Sequence, residues 1–443
     1  MKRFFWLLRL ASLNLLRNSK RNLITGIALA SSFSGILLFT GYVVWVEKYL
    51  RANTVFVNQS GHLLISRPNG LEDQLTKPRT ALLKKDEQEK IEAMLKGDAD
   101  VLAVGKGLQS MMMIIKDCRS RGVIAIGRDE GIDRLSLGQP DVLKWDYELL
   151  KPEQIPVLAK FRQVSPKEAA VFPSPILQKF IDRKTSSKQA GCEESANGSL
   201  QLLGRTTTGE VAATDGRALG TQSTGLAILD ERVIYMPVKD LQTFIETDSV
   251  GYYTVYVKSL LALPSVWKRL HEDVKASGLD LQIQPFFSEN VGLYYIGSVG
   301  FLGTIAAFFV LLVSSVVGLS LFSLFSMSVT ERSMEIGLLA ALGFPAKIVI
   351  WLFEIEAVLL CLLSLGTGLL VAIGLGDLIF KQNIRFSPPG IAGDTHFTIA
   401  WEPWVMVVIG LTFLLVSYVS IRIVTVLKLK RSALSLLQDA GTL

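Results

Sequence analysis

The apolar positions of this chain fall into two regimes: four stretches in which they run on with almost no charge, and long intervals in which they alternate with polar residues. Residues 22–46 are the first stretch, 25 uncharged positions in a row. About 20 helical residues suffice to cross a hydrocarbon core. The run exceeds the roughly 7–15 residues of a cleavable signal core, and no small-residue cleavage pattern precedes Glu47, so a retained first membrane helix is expected. Residues 290–330 hold no charge at all. As one helix they would measure about 60 Å against a core of about 30 Å, which predicts a second membrane helix whose outer part stands as a stalk. Within it Gly297, Gly300 and Gly303 recur at every third position, a spacing suited to close helix contact. Third and fourth spans are read at 348–376 and 399–421.

Between the first two spans, residues 47–289 mix both periods. Segments 61–66 (GHLLIS), 123–126 and 233–236 read as strands, while 85–95 places Ile91, Met94 and Leu95 on one side of a helix. Residues 184–225 turn rich in Ser, Thr, Gly and Ala and read as a loop or weakly structured insertion. After it, VIYMP, KDLQTFIET, GYYTVYVKS, ALPSVWKRLHEDVKASG and LDLQIQPF alternate as strand and helix, which predicts a compact βαβαβ unit leading into the stalk. The fold class expected is therefore membrane α-helical, with four transmembrane helices and an α+β extracytoplasmic domain inserted between helices 1 and 2.

Charge orients this plan. The 443 residues are 49% hydrophobic and 19% charged, with mean hydropathy +0.38 and a formal charge of +6. That excess suggests nucleic acid until it is divided, because 47–289 holds 32 basic and 32 acidic residues. The basic excess lies in 1–21, with six basic residues and no acid, and in the tail 422–443, with four against one. Such clusters beside apolar spans are cytoplasmic topology signals, so both termini are expected in the cytoplasm, with the loop 331–347 beside them and 377–398 outside. Nucleic acid is not an expected partner, whereas membrane lipid is. Cys118 and Cys192 fall in the large domain, where they can form a disulfide or remain two thiols, and Cys361 lies in a span. His62, His271 and His396 are scattered and make no ligand spacing, so no metal site is expected. No GxxxxGK[ST], GxSxG, HExxH or CxxC occurs. Neither ATP hydrolysis nor histidine acid–base chemistry is expected of this chain, and it needs no cofactor of its own.

The informative loop reads TERSMEIGLLAALGFPAK from Thr330 to Lys347. Thr330 can cap a helix, Glu331 suits its positive end, and Gly343 with Pro345 stops it. Ile336, Leu339 and Leu342 form an apolar stripe. A helix resting on lipid carries Lys and Arg on its polar face. This one has two acids and one arginine, which points to a protein partner. Glu354 and Glu356 begin the next apolar helix, where a carboxylate is costly unless paired, functional or favoured by the helix N-terminus.

The stretch ERSMEIGLLAALG, followed by WLFEIEAVLLCLLSLGTGLLVAIGLG, resembles the signature of FtsX-like ABC transporter permeases. Glu331, Arg332, Glu335, Ile336, Gly337, Ala341 and Gly343 match its loop and Glu356 its helix glutamate, with Leu339 and Leu342 on the same short helix. SLNLLRNSKRNLITGIALA is similar to the family's entry into the first span, VIYMPVKDLQTFI to the end of a MacB-like periplasmic core domain, and GHLLIS to lipoprotein-release permeases. The tail RSALSLLQDA departs from the pattern, with Ser432 where the family usually has proline. The resemblance implies a non-catalytic permease of the bacterial inner membrane that pairs with a second copy or paralogue. The loop 331–347 would be a coupling helix docking a cytoplasmic ATPase, which holds ATP and Mg. Motion passed to the periplasmic domain would serve lipoprotein transport, efflux of drugs or peptides, or control of a cell-wall hydrolase, with an adaptor, lipoprotein chaperone or hydrolase as periplasmic partner.

Overall fold

The structure, a computed structural model, describes residues 2–17, 19–117, 119–137, 168–183, 199–341, 345–386 and 395–429. It divides into two units. One comprises Met1–Val46, Gly300–Ile384 and Phe397–Leu443, the other Glu47–Val299 and Arg385–His396.

The helices of the first unit are α1 (Lys2–Arg17), α2 (Ser19–Ala52), α3 (Glu289–Glu331), α4 (Ser333–Ala341), α5 (Ala346–Lys381) and α6 (Pro403–Leu429), the unit boundary falling inside α2 and α3. Four segments, Ser19–Val57, Glu289–Glu331, Ile350–Lys381 and Pro403–Leu427, are helices long and apolar enough to cross a membrane. They overlap the four runs read from sequence and extend past the C-terminal end of each, while the fourth starts at Pro403 rather than at 399. Lys20 and Arg21 are taken into α2, because a long basic side chain can reach polar surroundings without breaking the helix that carries it. Leu29, Phe33 and Leu37 of α2, Val317, Leu321 and Phe325 of α3, Phe353 of α5 and Phe413 of α6 belong to one buried cluster. Phe33 and Phe413 meet edge to face at 5.4 Å, and Ser34 Oγ donates to the carbonyl of Gly368 at 2.6 Å. α3 has 43 residues, about 65 Å of helix. Gly297, Gly300 and Gly303 have open space where a Cβ would stand, so the close contact they suit is not made within the described chain.

The second unit is organised by a nine-stranded sheet: β1 (Leu63–Ser66), β2 (Val101–Lys116), β3 (Arg119–Arg128), β4 (Ala169–Pro173), β5 (Ser199–Arg205), β6 (Val211–Ala218), β7 (Val233–Pro237), β8 (Tyr252–Val257) and β9 (Gln282–Pro285). Neighbours run β3-β7-β4-β6-β5-β2-β8-β1-β9, and β2 also pairs with β3, so six strands close on themselves. The 16 residues of β2 serve both parts, pairing with β8 over Val101–Gly107 and with β5 over Met112–Ile115. Gly107 is required there: a Cβ would lie 2.1 Å from the Tyr252 ring. Alternate strand residues point one way, so Leu108, Met112 and Ile114 join Val123, Ala125, Leu200, Leu202, Ile234 and Met236 in one core. Leu177 and Ile181 of helix Pro175–Asp182 and Leu241 and Phe244 of helix Val238–Phe244 complete it.

Two sequence expectations change. Residues 199–218, inside the stretch read as a loop, form β5 and β6, which pair antiparallel from Ser199 opposite Arg217 to Arg205 opposite Val211; 184–198 lies outside the described residues. Polar composition misled because only one face of this hairpin is covered: Leu200 and Leu202 are buried while Gln201, Ala213 and Asp215 are exposed. The βαβαβ order is present, but its strands are not neighbours. β7 pairs with β3 and β4, and β1 inserts between β8 and β9 with Leu63 opposite both Val255 and Pro285. Every residue of β8 is buried, so it takes a strand on each side, and β1 supplies one from almost 200 residues upstream.

Where α3 begins, Gly292 departs from helical geometry (φ −124°, ψ 40°), and a Cβ there would lie 1.9 Å from the carbonyl oxygen of Phe286. Tyr295 donates its hydroxyl to Glu47 Oε1 at 2.8 Å, and Arg51 donates to the same oxygen at 2.9 Å. The Tyr295 ring lies 5.2 Å from that of Phe286, whose backbone N–H donates to the carbonyl of His62.

Candidate functional site

The candidate site forms where α3 ends. The chain leaves α3 at Glu331, passes Arg332, and turns again into α4. Glu331 pairs with Arg21 of α2 at 2.5 Å, and Arg21 also donates to Ser328 Oγ at 3.2 Å. Arg332 donates to both carboxylate oxygens of Glu356, 3.2 Å each, and its guanidinium stands 5.0 Å from the Phe353 ring. Asn14 of α1 donates to Glu356 Oε1 at 2.5 Å. Two residues before Glu356, Glu354 accepts from Arg422 of α6 at 2.6 Å.

Glu356 is 5% exposed. Its charge is tolerable because a guanidinium and an amide converge on it. A buried pair contributes little net stability, but breaking one by removing a partner costs roughly 3–5 kcal/mol. The sequence reading placed Glu354 and Glu356 at the start of their helix. α5 starts at Ala346, so both lie more than two turns in, and a helix-terminus effect fades within the first turn. Pairing, not the helix end, holds these carboxylates.

α4 has the predicted place between α3 and α5. Ile336 and Gly337 are buried, Ile336 in the same core as Phe325 and Phe353. The side chains of Glu335, Leu339 and Ala341, and residues Leu342 and Gly343 entirely, lie outside what the structure describes, as do Cys118 and Cys192. Met334 and Leu338, one turn apart, are 62% and 61% exposed. The sequence reading gave Ile336, Leu339 and Leu342 as the apolar stripe and missed this outward pair. It also missed Asn14, Arg21, Phe353 and Arg422. For Arg21 a signal existed, since the N-terminal basic cluster was read only as a topology mark. Among the described residues no group of three or more His, Cys, Asp or Glu could hold a metal ion. Cys361 is buried and accepts from Ser417 at 3.2 Å.

This cluster sits in a recognisable segment. Residues 307–434 match the FtsX-like permease C-terminal family. That segment is similar to FtsX-like permeases, and the sequence relatives of the chain include proteins of the MacB type. A MacB macrolide export ATP-binding/permease protein of Syntrophobacter fumaroxidans is 44% identical over 71 residues, 16% of this chain and 10% of that one. The protein called MacB 2 from Yersinia pestis bv. Antiqua is 30% identical over 179 residues, 36% of this chain and 26% of that one. The matches thus span from a tenth to about a quarter of these relatives' lengths. The periplasmic region of MacB from Actinobacillus actinomycetemcomitans aligns over 50% of this chain and 87% of its own, with 16% identity and a TM-score of 0.29.

Proposed function

We propose that the chain is a non-catalytic permease subunit of a bacterial ABC transporter, set in the inner membrane with both termini in the cytoplasm and the β-domain outside. A separate ATPase, carrying ATP and Mg, docks on α4, and its closure moves α3 and through it the outer domain. The observation that carries this reading is the mounting of α4. Each residue entering it is pinned to a different helix, Glu331 to α2 and Arg332 to α5, while Met334 and Leu338 point outward. An exposed apolar pair on a helix whose root is fixed by charge suits a protein partner, methionine being adaptable at such surfaces. A load on α4 would reach α3 directly, because only Arg332 separates them.

The substrate class is a hydrophobic or lipid-linked compound. Lipoprotein release rested on GHLLIS, but Leu63, Leu64 and Ile65 of that segment are all buried in β1. They serve sheet packing. Export of a hydrophobic small molecule is the second reading, favoured by the macrolide-export names of the relatives. The test is recruitment. Glu331→Lys with Glu335→Lys, and separately Met334→Asp with Leu338→Asp, are each expected to cut co-purification of the ATPase at least tenfold with membrane insertion unchanged. Undiminished recruitment by both variants removes α4 as the docking element. A peptidoglycan hydrolase retained with the purified chain would move the function from transport to regulation.

A further inference from the structure

α1 is a second short helix at the face that carries Glu331, and it has the composition that α4 lacks. Lys2, Arg3, Arg9 and Arg17 are its charges, it has no acid, and Phe4, Phe5 and Trp6 lie in its first turns. One side is committed: Ala11 and Leu10 pack with Leu352, Ile348, Ile355 and Leu359 of α5, and Asn14 reaches Glu356. The other side is open. Arg9, Leu13, Leu16 and Arg17 follow at i, i+4, i+7 and i+8 and are exposed, Leu13 at 54% and Leu16 at 71%. Leu23, Ile24 and Ile27, exposed on the membrane-length helix α2, and the exposed Lys20 follow directly. Leucines flanked by cations, with aromatics near one end, describe a helix lying in a lipid interface, its apolar side chains among acyl chains and its cations at anionic headgroups.

We propose that α1 and the first turn of α2 bind anionic phospholipid headgroups through Arg9 and Lys20, with Leu13 and Leu16 inserted in the bilayer, and that the Asn14–Glu356 contact carries this lipid state into the mount of α4. Charge complementarity selects lipid as the occupant: six cations with no acid among them in residues 1–21, beside a membrane-length helix, favour an anionic lipid surface, whereas α4, with Glu335 and the outward Met334 and Leu338, favours protein. Because Glu356 accepts from both Asn14 and Arg332, a shift of α1 alters the carboxylate that holds Arg332. The second half rests on the proposed docking of an ATPase at α4. The first half does not.

The experiment uses the full chain. Purified in detergent and offered phosphatidylglycerol and phosphatidylcholine at equal concentration, it is expected to retain the anionic lipid severalfold over the neutral one by native mass spectrometry. Each interfacial cation is worth about a fivefold change, so Arg9→Gln with Lys20→Gln should bring the ratio close to one, and Arg9→Glu with Lys20→Glu should reverse it. An unchanged ratio in both variants overturns the lipid site. So does a variant that keeps the lipid but loses the ATPase, which would make α1 a protein-binding surface. In nanodiscs with the ATPase, phosphatidylglycerol is expected to change ATP turnover at least twofold, and Asn14→Leu to abolish that dependence while lipid retention stays as in the parent. Lipid dependence that survives Asn14→Leu overturns the transmission. A chain that retains anionic lipid yet recruits no ATPase sinks the docking reading and leaves the lipid site standing.

Discussion

The two ends of α3 are each tied to a residue of α2, by different chemistry. At the Glu331 end the ties are ion pairs: Arg21 with Glu331, and Arg332 with the buried Glu356. At the Tyr295 end they are one neutral donor on a carboxylate, Tyr295 on Glu47, and a set of rings from Tyr295 through Phe286 to His62. The first end is followed by a break in the helix and a short helix that buries Ile336 and exposes Met334 and Leu338. The second contains its own irregularity at Gly292, where no residue with a Cβ fits without displacing the Phe286 carbonyl. Charges act over distance and tolerate small shifts of geometry. Packed rings do not. The Glu331 end is thus held by contacts that tolerate a small displacement, and the Tyr295 end by a joint of fixed shape.

The largest expected effect breaks the first end. Arg332→Ala leaves Glu356 buried with only Asn14 to satisfy it, a loss of roughly 3–5 kcal/mol. Thermal unfolding in detergent should show it as a large fall in midpoint, and Glu356→Gln on the same background should recover much of it, since the neutral amide no longer needs a cation. If Arg332→Ala unfolds like the parent, Glu356 is not held as a buried ion pair and the contrast between the ends collapses.

How much of this was legible differs between the regions for a physical reason. A membrane helix must be apolar continuously over about 20 residues, a constraint local enough to read directly, and four helices long and apolar enough to cross a membrane overlap the four runs. The short helix after the second span was legible as an element because Glu331, Arg332, Glu335, Ile336 and Gly337 stand together in the sequence. Its mount was not. Asn14 meets Glu356 across 342 positions and Arg21 meets Glu331 across 310, and nothing in the local pattern of either partner announces the other. The same holds in the sheet. The strand character of β1, β7, β8 and β9 was evident, yet the pairing of β1 with both β8 and β9 is a non-local contact that alternation cannot show.

The second effect tests the ring end with acid. His62 is buried among Phe56, Tyr256 and Phe286 and accepts from the Val257 N–H through Nδ1. Burial, with a smaller contribution from the nearby Arg51 charge, lowers its pKa from 6.5 to about 4. The unfolded chain therefore takes up a proton near pH 6.5 that the folded one refuses until about pH 4. Stability is full above that window and falls through it, by on the order of 3 kcal/mol in all. His62→Phe is expected to flatten the decline between pH 6.5 and 4; an equal decline in parent and variant would place the acid sensitivity elsewhere.

The smallest effect separates the two ends most finely. Tyr295→Phe keeps the ring against Phe286 and removes only the hydroxyl donated to Glu47. Glu47 retains Arg51 at 2.9 Å, so no buried charge is stranded, and the loss is that of one hydrogen bond to a charged acceptor, about 1.5–3 kcal/mol. Because rings and backbone stay in place, ATPase recruitment at α4 should be unchanged while coupling to the outer domain weakens. The reading is a ratio: transport per ATP hydrolysed falls, and ATP hydrolysis itself does not. Arg21→Gln, which releases the exposed pair with Glu331, should act on hydrolysis first. If the two variants give the same pattern, α3 transmits without distinction between its ends, and the division of labour argued from Tyr295 and Glu331 does not hold.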